Sequence, residues 1–144
     1  MAIENSYNFV LLFDVTNGNP NGDPDAGNAP RIDPETNFGI ITDVCLKRKI
    51  RNYVQVAKSN TPCYNILIQP DQSLNAKFTD MYRSKGLSSG QKGKDKNVVK
   101  AARSFMCESY FDVRTFGAVM STGDDPCGIV RGPVQINFAT SCSP

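Results

Sequence analysis

Residues 14–31 read DVTNGNPNGDPDAGNAPR, and this composition decides how the first part of the chain folds. Three glycines can take positive φ without steric cost, while three prolines lock φ and lack a backbone N–H. The segment therefore cannot form an α-helix. A loop well above the usual handful of residues is more often functional than a simple connector, and a disordered insertion is the alternative interpretation.

The residues on either side of this loop carry regular patterns. Residues 7–15, YNFVLLFDV, are nearly all apolar and rich in aromatic and β-branched side chains, which predicts a strand buried on both faces and central in its sheet. After the loop, Thr42 or Asp43 can cap a helix whose apolar side chains recur at three- and four-residue spacing. The basic side chains of that helix then face away from the core.

The rest of the chain continues the alternation of elements. The pattern predicts a second strand at 63–69, an inserted polar loop at about 70–96, a second helix at 96–110, and strands at 111–120 and 129–139 separated by a hairpin loop, STGDDPCG. Pro133 removes a backbone donor from the last strand, which must be an edge strand or bulged. We expect one domain over 1–144, of α+β class, with an antiparallel sheet and helices on one of its faces.

The composition excludes several kinds of chemistry. The chain has no histidine, which removes Ser-His and Cys-His nucleophilic mechanisms. Its five cysteines are scattered without a CxxC pair, so a zinc site is improbable and reduced thiols are expected. No apolar run reaches the length of a membrane span and no signal peptide is evident, so we expect a cytoplasmic protein without a membrane partner.

Charge is distributed unevenly along the chain. Residues 1–39 contain one basic and six acidic side chains, residues 40–105 contain thirteen and four, and residues 106–144 contain two and four. The net charge of +2 conceals this basic middle region. Such a region offers a positive surface to an anionic polymer such as a nucleic acid.

Three segments resemble one known family. They are NPNGDPDAGNAPRIDPETNFGIITDVCLKRKIRNYV at 19–54, DVRTFGAV at 112–119 and VRGPVQINF at 130–138. This sequence is similar to the backbone subunit of type I-C CRISPR Cascade complexes, the Cas7 family of the Csd type. The resemblance implies a ferredoxin-like or RRM-like palm. Members of that family are about twice as long, so the chain resembles their N-terminal half.

The resemblance also implies a function. A backbone subunit binds the guide RNA (crRNA), contacts other Cascade subunits including copies of itself, and reaches target DNA indirectly through base pairing. The type I-C family it resembles is a non-catalytic scaffold that needs no cofactor, catalytic residue or metal. We therefore expect a binding protein and not an enzyme.

Candidate RNA contacts follow from charge and from the resemblance together. Lys47, Arg48 and Arg51 gather on the first helix, with Lys47 and Arg51 one turn apart, and Arg131 lies where a strand leaves its hairpin. An ordinary solvated helix face, or a surface ion pair for Arg131, is the alternative. Lys92, Lys94 and Lys96 are a weaker candidate. A loop that contacts RNA or the next subunit is predicted at Asn19, Asn21, Gly22, Asp23, Asp25, Asn28 and Arg31.

Two other functions compete with the scaffold hypothesis. Asp14, Asp23, Asp25 and Asp33 could assist RNA cleavage, although short carboxylates in GDPD commonly cap turns. A truncated homologue could instead dock into a Cascade, stop its assembly and act as a phage anti-CRISPR mimic. A fragment of a longer chain explains the same length without a new function.

Overall fold

The computed structural model describes residues 3–87 and 95–144, which form two compact units. The first unit comprises Met1–Thr42 and Phe138–Pro144, and the second comprises Asp43–Asn137. Across the described residues, no helix combines the length and the apolar character that crossing a bilayer demands.

The glycine- and proline-rich loop folds as a small hairpin in the first unit. Strand β1 (Gly22–Asp23) pairs antiparallel with β2 (Ala29–Pro30) around a 3₁₀ turn at Pro24–Ala26. The Asp23 carboxylate caps this turn by accepting a hydrogen bond of 3.1 Å from the Asp25 N–H. Further along, β3 (Ile40–Ile41) pairs antiparallel with β6 (Ala139–Thr140). The loop is therefore ordered without α-helix, as its composition predicts.

Residues 7–15 are the clearest departure from the predicted fold. The prediction of a central, buried strand is wrong, because Val10 is 88% and Leu12 is 80% exposed. Within the described part of the chain, no backbone hydrogen bond involves this segment. β-Propensity describes how well side chains suit a pleated, half-buried surface. Without a neighbouring strand, the segment has no regular secondary structure and is exposed to solvent.

Four helices and a hairpin make the second unit. The helices are α1 (Asp43–Ala57), α2 (Leu74–Ser84), α3 (Lys96–Ser109) and α4 (Phe111–Phe116), and strands β4 (Gly117–Met120) and β5 (Gly128–Arg131) pair antiparallel. The predicted helices at α1 and α3 and the predicted hairpin loop are confirmed. The core consists of Leu67, Phe78, Met81, Tyr82, Ala102, Met106, Val113, Met120 and Cys127.

Helix α2 lies inside the range that we predicted as an inserted polar loop at 70–96. Ser73 caps it by accepting from the Ala76 N–H, and Phe78, Met81 and Tyr82 are buried on one side. These three apolar residues, at i, i+3 and i+4, carry a helical signal among many polar neighbours. The predicted tip of the loop, residues 88–94, lies outside the described residues.

The other predicted strands are shorter than expected or absent. Residues 111–116 are helical, the last long strand ends at Arg131 before Gly132 and Pro133, and residues 63–69 make one isolated bridge, Asn65 to Tyr110. The described part of the chain thus has three two-stranded antiparallel sheets in a mixed α/β arrangement, and not the single sheet that we expected.

A buried carboxylate explains why residues 66–69 are not a strand. Asp112 is 1% exposed and accepts hydrogen bonds from the Leu67 N–H at 2.8 Å and the Ile68 N–H at 3.0 Å. It also forms an ion pair with Arg51, whose Nε lies 2.9 Å from Oδ2. A side chain from α4 therefore takes the place of a neighbouring strand for these two N–H groups.

Two cations bind the main-chain carbonyl groups of the same segment. Lys77 of α2 donates from Nζ to Ile66 O at 3.2 Å and Leu67 O at 2.7 Å, and to the side-chain oxygen of Gln69 at 2.8 Å. Arg48 of α1 donates from Nη1 to Ile68 O at 2.8 Å. Burial lowers the pKa of Lys77, and the nearby Asp112 opposes that shift.

We expect Asp112→Ala to destabilise the second unit by about 3–5 kcal/mol, because Arg51 and two N–H groups would be left without their buried partner. Asp80→Ala is the matched control. Asp80 is 72% exposed and pairs with Arg83 on the surface, so its loss should change stability by less than about 1 kcal/mol. Urea unfolding followed by circular dichroism measures both, and equal losses would contradict the structural role of Asp112.

Gly117, the first residue of β4 directly after α4, is expected to tolerate no side chain. Its φ is +82°, and a Cβ would lie 2.5 Å from Val130 O and 2.6 Å from Gly132 N. Gly117→Ala should therefore lower stability by about 2 kcal/mol or more. Gly86 has a φ of +63° and open space around it, so Gly86→Ala isolates the cost of backbone strain. A thermal unfolding comparison in which the two variants match would rule out the steric explanation.

Candidate nucleic-acid interface

Three of the four basic side chains of α1 bind groups of the same fold, and the fourth, Lys49, is exposed. Lys47 Nζ lies 3.0 Å from Asp43 Oδ2, and this hydrogen bond lowers the pKa of Asp43. Arg51 pairs with the buried Asp112, and Arg48 donates to a main-chain carbonyl. The cluster therefore has a structural role that charge counting alone did not reveal. Its positive charge is only partly available to a ligand.

Two of the four predicted RNA contacts, Lys47 and Arg51, nevertheless lie beside one ring, that of Phe116, and a third, Arg131, lines a depression together with Phe116. Lys47 Nζ lies 6.0 Å and Arg51 Cζ 5.2 Å from its centre, since the i, i+4 spacing places both side chains on one face of α1. Arg131 is exposed and lines with Phe116 a shallow depression of about 550 Å³. Arg48 is the exception, because it is directed to Ile68 O.

Two more rings extend this surface. Tyr64 and Phe111 are stacked, with centroids 6.2 Å apart and an interplanar angle of 17°. Phe111 in turn meets Phe116 edge to face at 6.3 Å. Arg114 lies 5.2 Å from the centre of Tyr64 and 5.6 Å from that of Phe111, and Lys58 Nζ lies 5.5 Å from the centre of Tyr64. We call the rings of Tyr64, Phe111 and Phe116, with the cations Arg51, Lys58 and Arg114 beside them, the aromatic–basic row.

Sequence reasoning missed this row. The sequence pattern places Tyr64 and Phe111 in two separate predicted strands, and nothing in it indicates that the two rings stack. The one local signal is the segment FDVRTF, in which Arg114 stands between two aromatic residues. In a helix, Phe111 and Arg114 at i and i+3 share a face, whereas a strand reading places them on opposite faces. The proximity of Phe111 and Arg114 therefore depends on α4 being a helix.

The row combines aromatic π faces with fixed positive charge. Planar guanidinium groups and ammonium groups pair with phosphate oxygens, and aromatic rings stack on nucleobases. Arg114 Nη1 also donates to the Cys63 and Glu108 carbonyls, which fixes its guanidinium beside the rings. This arrangement is suited to binding a nucleic acid without catalysing a reaction on it.

Many polar side chains of the predicted contact loop form hydrogen bonds or ion pairs within the first unit. Asn19 Nδ2 donates to Asn28 O at 2.7 Å, and Asn21 Oδ1 accepts from the N–H and the hydroxyl of Thr42. Arg31 reaches Asp23 at 3.5 Å. These side chains hold the hairpin in shape before any partner binds.

The remaining loop residues are placed more openly. Gly22 O accepts from Arg31 Nε at 3.4 Å, whereas Asp25 and Asn28 are exposed, with Asn28 at a φ of +62°. Asp25 and Asn28 therefore remain the candidates for contact with another molecule. No observation tests that contact, and it stays a prediction.

Two of the four acidic residues considered for RNA cleavage, Asp23 and Asp33, act as turn caps. Asp33 accepts from the Glu35 N–H at 3.0 Å and the Thr36 hydroxyl at 2.8 Å, and these hydrogen bonds lower its pKa. Asp23 caps its own 3₁₀ turn. Within 3–87 and 95–144, no group of three or more cysteine or acidic side chains is arranged to hold a metal ion.

Helix α3 presents further positive charge in the second unit. Lys96, Lys100 and Arg103 are exposed and follow one another at four- and three-residue intervals along one side of the helix. Lys96 belongs to the weaker candidate set, whereas Lys92 and Lys94 lie outside the described residues. No ion pair within the described chain engages these three side chains.

Comparison with known proteins gives the family. The profile of the family described as CRISPR-associated protein Cas7 matches residues 5–144. A curated relative, the CRISPR-associated protein Cas7 of Haloferax volcanii, is 46% identical over 55 residues, which are 38% of this chain and 16% of that protein. The match therefore spans about one sixth of the relative's length. By the extent of the profile match, this chain belongs to the Cas7 family of CRISPR-associated proteins.

Proposed function

We propose that the protein binds guide RNA as a non-catalytic backbone subunit of a CRISPR Cascade complex, and that the complex is of type I-C. Membership of the Cas7 family supports the general role. The type I-C assignment rests on the resemblance of residues 19–54, 112–119 and 130–138. The observation that carries the proposal is the position of Lys47 and Arg51 beside the ring of Phe116, which lines a shallow depression together with the exposed Arg131.

Such a surface holds RNA by charge and shape. Cations bind phosphate oxygens of any sequence, so they position the guide without reading it, and target choice is left to base pairing. The ion pairs of Lys47 and Arg51 orient both side chains before RNA arrives. Binding to an oriented cation loses less side-chain entropy than binding to a free one.

The wider assembly is part of the same proposal. We infer an RRM-like palm, contacts with other copies of the backbone subunit and with further Cascade subunits, and target DNA held indirectly through the guide. The exposed residues Asp25 and Asn28 of the loop are proposed contacts with RNA or with the next subunit. The expectation of a cytoplasmic location rests on the sequence alone.

Salt-dependent RNA binding tests the proposal. Fluorescence anisotropy of a labelled single-stranded RNA should show binding by the 144-residue chain that weakens as salt rises, because phosphate contacts release counterions. The double variant Lys47→Gln and Arg131→Gln should bind about tenfold more weakly, and its salt slope should fall by about one for each lost contact.

The control removes the same charge elsewhere in the second unit. Arg83 is 77% exposed on α2, and Lys85 is exposed at the end of α2. The double variant Arg83→Gln and Lys85→Gln should keep most of the affinity. Equal losses in the two double variants would show that only net charge matters, and an absence of RNA binding by the unmodified chain would refute the proposed function.

A further inference from the structure

We propose that Tyr64, Phe111 and Phe116 form a stacking platform for the bases of single-stranded RNA, with Lys58 and Arg114 holding phosphates beside the rings. This inference rests on the proposed function and specifies how the RNA is held. It concerns residues that the sequence patterns did not single out.

The accessibility of the rings is the first observation. Tyr64, Phe111 and Phe116 are all partly exposed, whereas the core rings of Phe78 and Tyr82 are 1% and 0% exposed. Aromatic side chains gain more from burial than most residues do. Three partly exposed rings in contact with one another form an apolar patch. Such patches commonly mark ligand or interaction sites.

The interleaving of charge is the second observation. Lys58 lies over Tyr64, Arg114 lies beside Tyr64 and Phe111, and Arg51 lies over Phe116. Each ring therefore has a cation within 5.2–5.6 Å of its centre. A nucleotide strand repeats a flat base and a negative phosphate, and this surface repeats a flat ring and a positive side chain. The chemistry of the two is complementary at each step.

The order of the rings favours a single strand over a duplex. The bases of a duplex already stack on each other, so their faces are not free to meet a protein ring. Neighbouring rings of the row are 6.2 and 6.3 Å apart, and the second pair meets at 85°. Bases that follow the row must turn away from regular helical stacking. An unpaired, flexible strand can do this at low cost.

Removing the rings while keeping apolar bulk tests the inference. The double variant Tyr64→Leu and Phe111→Leu keeps an apolar side chain at each position but loses both aromatic rings. Its affinity for a single-stranded oligoadenylate, at fixed salt, should fall by between about tenfold and 100-fold, given the usual worth of base stacking. Phe105→Leu is the control, because Phe105 also carries a cation, Lys85 Nζ at 4.3 Å, but belongs to α3 outside the row.

An abasic oligonucleotide of equal length separates stacking from charge. With no bases present, the unmodified chain and the double variant should bind it equally, and the salt slope should be the same for both. If the variant loses affinity for the abasic strand as well, the rings do not act through stacking and the inference is overturned. Unchanged binding of oligoadenylate by the variant also overturns it, while RNA binding itself stands.

Folding is checked independently of binding. Each variant is first compared with the unmodified chain by thermal unfolding. Where the double variant unfolds, Phe116→Leu alone serves the same purpose and should weaken oligoadenylate binding about tenfold. Failure of the unmodified chain to bind any RNA would remove the proposed function, and the platform with it.

Discussion

The second unit depends on one buried carboxylate. Asp112 brings together α1, through Arg51, and the irregular segment 66–69, through two main-chain N–H groups. A charge in the interior needs an opposite charge and full hydrogen bonding to be tolerated. Here both oxygens have partners, and the guanidinium that neutralises them comes from another helix. The ion pair of Arg51 and Asp112 therefore helps to fix the position of α1 against α4.

The same ion pair links the fold to the surface. Arg51 is 12% exposed, and its guanidinium touches both the buried Asp112 and the ring of Phe116. A residue needed for stability is thus also part of the aromatic–basic row. Substituting Arg51 would alter the fold and the surface together, so it cannot separate the two roles. Lys58 and Arg131, which have no carboxylate partner in the described chain, are better suited for that purpose.

Sequence patterns foresaw elements whose partners are local. Helix α1 and helix α3 follow from apolar periodicity, and the hairpin of β4 and β5 follows from its turn residues. The patterns failed where distant side chains decide the backbone, as at 66–69, where Asp112 and Lys77 replace a sheet partner. They failed at α2 because its few apolar residues are diluted by polar ones. For the candidate interface, charge pointed to Lys47, Arg51 and Arg131, but it did not point to the rings of Tyr64, Phe111 and Phe116.

Residues 7–15 have a consequence for how the isolated chain behaves in solution. A largely apolar segment that makes no backbone hydrogen bond within the described chain offers a template on which a second strand can add. The segment lacks proline, and its charge is limited to Asp14. These features favour self-association, and concentrated solutions of the separate chain should be prone to aggregation unless another polypeptide covers the segment.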